Sequence, residues 1–318
     1  MANIRAIVIG GGIGGTAAAI ALARRGIEVD VYEQAAQQAE VGAGIQISPN
    51  ASRLLYRYGL KEMIEACAVR PKAIERRRWQ DGRVLSRAVM GEAIETAFAA
   101  PYYHVHRADL LAVLANALEP GRVHTGKRCI AVSQDEHGAT AHFEDGTKAT
   151  GDVIVGADGI HSAVRTALLG AERPRFSGHV AYRGLAPVER PPTSTCSAPA
   201  PHGWALAAIS FTTRLQRTLF ELCRRDRGRH LDEGIMDGQR PPRRRAPGFR
   251  RMHDQVHHHD VDQTIAALDR DPLLQKWSVG RITPLGDACH AMRAAVHGPG
   301  RSPVHRGRRH TCSLSGRL

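Results

Sequence analysis

The chain has 318 residues, 42% hydrophobic and 5% aromatic, enough for one large or two ordinary domains with an ample core. No apolar run reaches the ~20 residues of a membrane-spanning helix, Ile4–Ile9 is too short and glycine-bounded for a secretion signal, and six scattered cysteines without a CxxC pair read as the reduced thiols of a cytoplasmic protein. The net charge of +13 lies wholly in two windows, Arg214–Arg251 with twelve Arg and five acids and Arg293–Leu318 with six Arg and no acid, so the excess argues against a nucleic-acid-binding surface.

Ile4–Ile9 is an apolar run of the kind a buried parallel strand needs. It runs into Gly10-Gly11-Gly12-Ile13-Gly14-Gly15, a GxGxxG whose fixed places are Gly10, Gly12 and Gly15. Gly10 suits a tight turn, Gly12 lets the backbone approach a pyrophosphate, and Gly15 lets helix and strand pack closely. An Ala-rich helix over Thr16–Arg25 then presents its N-terminal N–H groups to the phosphates. The second strand, Glu28–Glu33, ends on an acid about 20 residues into the unit, where a carboxylate accepts hydrogen bonds from ribose hydroxyls. An acid there repels a 2′-phosphate, which favours FAD or NAD over NADP.

Further along, Gly42 and Gly44 in Val41–Asn50 permit close backbone approach, and Pro49 fits the first turn of a helix to about Tyr58. Asp81-Gly82 marks a hairpin turn. His106–Leu110 opens an amphipathic helix to about Leu118. Cys129–Gln134, Ala139–Phe143 and Lys148–Thr150 form a small antiparallel meander, and Asp152–Val155 is another buried strand. Ser162 is placed to cap the helix after Asp158-Gly159. Val180–Val188 reads as a strand of a second sheet, and Arg281–Leu285 as a strand leading to Asp287.

Together, GGGIGG with Glu33, VGAGIQISPNA, DGIHSAVR and LGDACHAM, supported by HRADL and GHVAYRGL, resemble the FAD-dependent aromatic hydroxylases of the para-hydroxybenzoate hydroxylase family. The likeness is to its salicylate, 3-hydroxybenzoate and 6-hydroxynicotinate monooxygenase subgroup. The resemblance implies an α/β fold: a Rossmann-like, mostly parallel FAD-binding sheet with helices on both faces and an interleaved mixed-sheet substrate domain. FAD-binding parts fall at 1–70, 101–177 and 276–292, and substrate-domain parts at 71–100 and 178–275. It also implies hydroxylation of a small aromatic acid or phenol with NAD(P)H as co-substrate and O₂. Gly10, Gly12, Ile13, Gly14, Gly15 and Gly44 line the cofactor. Glu33 holds the adenosine ribose and Arg107 reaches the ribityl–pyrophosphate region. Asp287 binds ribityl hydroxyls, and Asp158 with Arg165 serves FAD and, transiently, the nicotinamide. On the substrate side stand Tyr182 and Arg183, with Arg183 a partner for a carboxylate and a solvated strand arginine as its alternative. Some family members carry a His, able to act as a base, where this chain has Gln46, which cannot take up a proton.

Other features admit plainer readings. His253, His257, His258 and His259 near Asp254, Asp260 and Asp262 superficially suggest a metal site, but Arg250-Arg251 opposes a cation and no metal is expected. Cys289-His290 lies inside the LGDACH segment, where packing is expected, and Pro241–Arg245 reads as a solvated loop. A flavin oxidoreductase on a non-aromatic substrate and a decayed family member stay open as alternatives.

The two basic windows depart from the family. Across 212–259 no periodicity survives, where the family has strands and a helix. After Met292 it continues with an AQGA-like turn, a helix carrying an acidic pair and a further long helical section, whereas 293–318 is a basic tail. Cys223–Gln239, CRRDRGRHLDEGIMDGQ, has permitted codons whose frame displaced by one nucleotide reads VAVIEVDTWTKESWTD. Gly298–Cys312, GPGRSPVHRGRRHTC, reads AQGAVQSIEDADTLA in the same displaced frame. The expectation is a frame that slips before Cys223, returns near Asp260 and slips again near Arg293. Its alternative is a divergent basic insertion, and its consequence is loose FAD binding or poor folding, because such segments bury little apolar surface.

Overall fold

In the computed structural model the described residues are 4–36, 44–77, 83–170, 175–187, 209–214, 219–227, 263–269 and 277–290. The chain opens β1 (Arg5–Ile9), α1 (Ile13–Ala23) and β2 (Glu28–Tyr32). Then come β3 (Gly44–Ile47), α2 (Pro49–Arg57), α3 (Lys61–Cys67), β4 (Ala73–Arg77), β5 (Val84–Val89) and α4 (Glu92–Phe98). Next are β6 (Tyr103–His106), α5 (Arg107–Ala115), β7 (Val123–His124), β8 (Cys129–Gln134), β9 (Ala139–Phe143), β10 (Lys148–Gly151), β11 (Val153–Gly156) and α6 (Ala163–Leu169). The remainder holds β12 (Arg175–Pro187), β13 (Ile209–Arg214), β14 (Leu219–Arg227), β15 (Gln263–Asp269), β16 (Ile282–Pro284) and α7 (Asp287–His290).

Five strands form a sheet in the order β16-β11-β1-β2-β7, parallel throughout. Its strands are apolar on both sides because both faces are covered. Ala6, Val8, Val29, Val31 and Val155 face α1, meeting Ala19 and Leu22. Ile7, Ile9, Ile154 and Ile282 face the other way, onto Ala139, Ala141, Phe143 and Ala149 of the antiparallel sheet β10-β9-β8 and onto Val164 of α6. This corrects one expectation: a helix covers one face, but the second is covered mainly by the meander. β9 alternates buried and half-buried residues, and a strand with one apolar face stacks on a sheet as readily as a helix does.

A third cluster joins Ile20 of α1 to Ile47, Leu55, Leu60, Ile64, Tyr103, Val105, Leu110 and Leu114. It fastens the antiparallel ribbon β3–β6 and helices α2, α3 and α5 to the α1 side of the parallel sheet. Pro49 opens α2 as its fixed φ favours, and Ser162 Oγ accepts from Arg165 N at 2.9 Å as the N-cap of α6.

A four-stranded sheet has the order β13-β14-β12-β15, and β4–β5 forms a separate ribbon. Every described pairing in both is antiparallel. Strand backbone at Leu219–Arg227 also enters the basic window that the sequence pattern left without elements. His253–His259 and Pro241–Arg245 lie outside the described residues. Among the described residues no helix is long and apolar enough to cross a membrane.

Candidate functional site

Four neighbouring strands of the parallel sheet end level. Ile9 stands opposite both Tyr32 and Gly156, and Gly156 opposite Pro284. The residues just beyond each tip are therefore presented along one edge: Gly10–Gly15 after β1, Glu33 after β2, Asp158 after β11 and Asp287 after β16. At about 4.8 Å per strand the edge is about 14 Å long. β1 is flanked by β2 on one side and β11 on the other, so this edge is where the connections diverge, the usual place for a ligand crevice in an open α/β sheet.

The glycine turn is shaped by contacts and by vacant space. Gly10 has φ +104°, and a Cβ on it would lie 2.3 Å from the carbonyl oxygen of Ala157. A Cβ on Gly15 would lie 1.9 Å from the carbonyl oxygen of Gly10. Both positions require glycine because backbone meets backbone. Gly12 and Gly14 differ: a Cβ on either would meet nothing within 4 Å. Gly12 is the N-cap of α1, with no side-chain capping bond, and the first helical bond is Thr16 N to Gly12 O at 2.9 Å. The N–H groups of Ile13, Gly14 and Gly15 are thus left for an outside acceptor. Thr16 Oγ1 steadies the turn by donating to Gly11 O and Gly12 O.

Glu33 accepts from Gly11 N at 2.6 Å through Oε2 and from Ala35 N at 2.9 Å through Oε1. It therefore ties the glycine turn to the tip of β2, and a carboxylate keeps lone pairs for further donors. Asp158 is used locally: Oδ1 accepts from Ser162 Oγ at 2.5 Å and Oδ2 from Val164 N at 3.2 Å. Arg165 is 3% exposed and donates to Ile160 O at 2.8 Å, so it too braces the turn into α6. Burial, with the Asp158 charge adding to it, pushes the nearby Cys129 thiol up to about 11. Asp287 is exposed at the start of α7, after Gly286 at φ +62°. Cys289 is fully buried, its thiol on Gly286 O at 3.3 Å, which fits packing rather than nucleophilic chemistry.

The β3–β6 ribbon supplies the other flank. Gly44 is paired with His106 and Gln46 with His104, so Gly44 comes beside Arg107, the exposed first residue of α5. Gln46 is exposed. Tyr182 and Arg183 lie on β12, Tyr182 between Arg224 and Thr264 and Arg183 between Cys223 and Gln263 in register. Two features escape sequence reasoning. One is the buried pair His104 and His106, on a strand buried along its whole length and so without an alternating signal. The other is the edge strand β7, two residues long, which brings His124 onto Tyr32 with ring centroids 4.7 Å apart.

This edge fits a flavin dinucleotide. It has open space at Gly12 and Gly14, the first-turn amides of an 11-residue helix, and a carboxylate at the neighbouring tip. Residues 3–300 match the model of a family described as FAD binding domain. The chain is 41% identical over 301 residues to 3-amino-4-hydroxybenzoate 2-monooxygenase PtmB3 of Streptomyces platensis, covering 91% of this chain and 74% of that one. It is 34% identical over 303 residues to 6-hydroxynicotinate 3-monooxygenase of Bordetella bronchiseptica, covering 91% and 77%. Among solved structures it is similar to Klebsiella pneumoniae HpxO complexed with FAD and uric acid, with TM-score 0.74, 25% identity, and 92% and 75% coverage. The chain belongs to the FAD-binding family of aromatic-ring monooxygenases.

Proposed function

We propose that this chain hydroxylates a small aromatic acid bearing a phenolic or equivalent ring hydroxyl, using NAD(P)H and O₂. Its relatives named above act on an aminohydroxybenzoate and on 6-hydroxynicotinate. The observation that carries the reading is the level edge that brings the glycine turn, Glu33, Asp158 and Asp287 together. FAD, when bound, accepts the hydride from NAD(P)H and delivers one oxygen atom of O₂ to the ring. The chain's residues do the rest. Amides of Ile13, Gly14 and Gly15 bind the pyrophosphate, and Glu33 takes the adenosine ribose while holding the turn. Asp287 takes ribityl hydroxyls, and Arg107 closes the flank at Gly44. Asp158 keeps the β11–α6 turn in place for the flavin. On the substrate side, Arg183 and Tyr182 orient the carboxylate and ring, and Gln46 contributes an amide but no proton acceptor.

The test is NAD(P)H oxidation by the FAD-loaded protein in the presence of a panel of hydroxybenzoates and hydroxypyridine carboxylates. The expected result is stimulation by at least one, with an oxygen atom from ¹⁸O₂ in the ring product. No stimulation and no labelled product would contradict the reading.

A second reading comes from the two basic windows and the family-like strings in their displaced frame. On that reading the chain holds FAD loosely and turns over poorly. Nucleotide sequencing across codons 210–300 tests it: codons compatible with both strings are expected, and incompatible codons remove it.

A further inference from the structure

We propose that Trp277 is a positioning residue for the cofactor: its indole, packed on His290, holds the short helix α7 so that Asp287 faces the ribityl chain of FAD. The inference rests on the flavin reading above, with Asp287 as a ligand of the ribityl hydroxyls. α7 is four residues long, far short of the ~12 residues at which an isolated helix becomes even marginally stable in water. The aim of Asp287 therefore depends on what packs against α7. One side of the helix is buried, through Ala288 and Cys289. Asp287 and His290 stand three residues apart and so share the other side. Asp287 is exposed there, and the ring of His290 meets that of Trp277 with centroids 5.4 Å apart and planes tilted by 37°.

Trp277 is itself fixed. The chain reverses between Val279 and Ile282, which exchange backbone hydrogen bonds of 3.0 and 3.2 Å around Gly280 at φ +59°. Thr283 Oγ1 then donates to Trp277 O at 3.1 Å and accepts from Ser278 Oγ at 2.9 Å, so Trp277 lies back beside β16, close to the turn into α7. The reversal is anchored on the meander. Gln134 of β8 accepts from Arg281 N at 2.6 Å and donates to Val279 O at 3.0 Å, and the Arg281 guanidinium donates to Asp152 O and Glu136 O. β16 is registered on β11, with Leu285 N donating to Gly156 O at 2.7 Å. A ring carried on this base is a fixed stop for α7, and losing an aromatic pair of this kind corresponds to about two- to tenfold in binding.

The experiment is titration of the purified full chain with FAD, followed by flavin fluorescence, for wild type, Trp277→Leu, Trp277→Phe, Asp287→Asn and the double variant Trp277→Leu with Asp287→Asn. Thermal unfolding of the flavin-free forms checks that each is folded. Trp277→Leu is expected to weaken FAD binding by about fivefold, and Trp277→Phe, which keeps a ring on His290, to stay within about twofold. In the Asp287→Asn background, Trp277→Leu is expected to cost less than about twofold, because the ring acts through Asp287. Wild-type affinity in folded Trp277→Leu overturns the inference while leaving the flavin reading intact. So does a Phe variant as weak as the Leu variant, or a fivefold loss that persists in the Asp287→Asn background. Asp287→Asn that binds FAD like wild type removes Asp287 from the cofactor site and the inference with it. If Trp277→Leu does not fold, His290→Leu removes the other ring of the pair and takes its place in the cycle, with the same expected and overturning results. A folded wild type that takes up no FAD overturns the flavin reading before any variant is compared.

Discussion

Gly12 and Gly15 stand three residues apart in one turn and respond to substitution in opposite ways. Gly15→Ala drives a methyl into the Gly10 carbonyl, so loss of about 2 kcal/mol or more of stability is expected, read by urea unfolding. Gly12→Ala puts its methyl in open space. It is expected to leave unfolding unchanged while weakening FAD binding by tenfold or more, because that space is where the pyrophosphate approaches the backbone. If Gly12→Ala binds FAD like wild type, the pyrophosphate lies elsewhere. At the far side of β2, Asp30 is 5% exposed and accepts from Arg5 at 2.9 Å, with His124 Nε2 at 3.2 Å. Burial alone would raise its pKa, but the hydrogen bonds from Arg5 and His124 and the charges of Arg5 and Arg122 outweigh it and hold the carboxyl below its ordinary value. With the folded pKa below the unfolded value near 4, its stabilisation is full above about pH 4 and is lost as pH falls through the folded value. Asp30→Asn is therefore expected to cost stability at pH 7 and to flatten the acid limb of the stability–pH curve. An unchanged acid limb would show that another carboxylate governs it.

The elements show which features the sequence makes legible. β1, the glycine turn, α1, β2, the meander and β11 carry strong local signals, namely apolar runs, glycine turns and an Ala-rich helix; the strands form within a residue of their expected limits, while α1 begins three residues earlier and ends two residues earlier than expected. α3 and α4 are seven-residue helices, and α4 has no buried residue, so neither imposes a periodic pattern on the sequence. β7 is two residues paired with the edge of β2, a strand defined by its neighbour rather than by its own composition. Nothing in the local sequence marks the charged Asp30 and Arg165 as buried, yet both are, because partners from elsewhere in the chain or turn meet them. The turn into α6 offers a direct check. Ser162 is fully buried, caps Arg165 N and donates to Asp158, so Ser162→Ala is expected to cost about 1–2 kcal/mol in urea unfolding. A cost near zero would mean that Asp158 holds the turn unaided.

Over the whole molecule, one parallel sheet is closed on one face by α1 and on the other by a β-meander, and its carboxyl edge is left open between them. That edge was readable because its parts are local motifs whose spacing is set by strand and turn lengths. The second covering layer was not, because it depends on segments far apart in sequence coming together. On the second reading proposed above, the basic windows bury little apolar surface, and the flavin is held loosely. The most direct measurement is the stoichiometry of FAD taken up by the folded, flavin-free chain, followed by fluorescence. The expected result is saturation at one FAD per chain with flavin that gel filtration removes. A folded chain that leaves FAD fluorescence unchanged up to about 100 μM would contradict the assignment of the sheet edge.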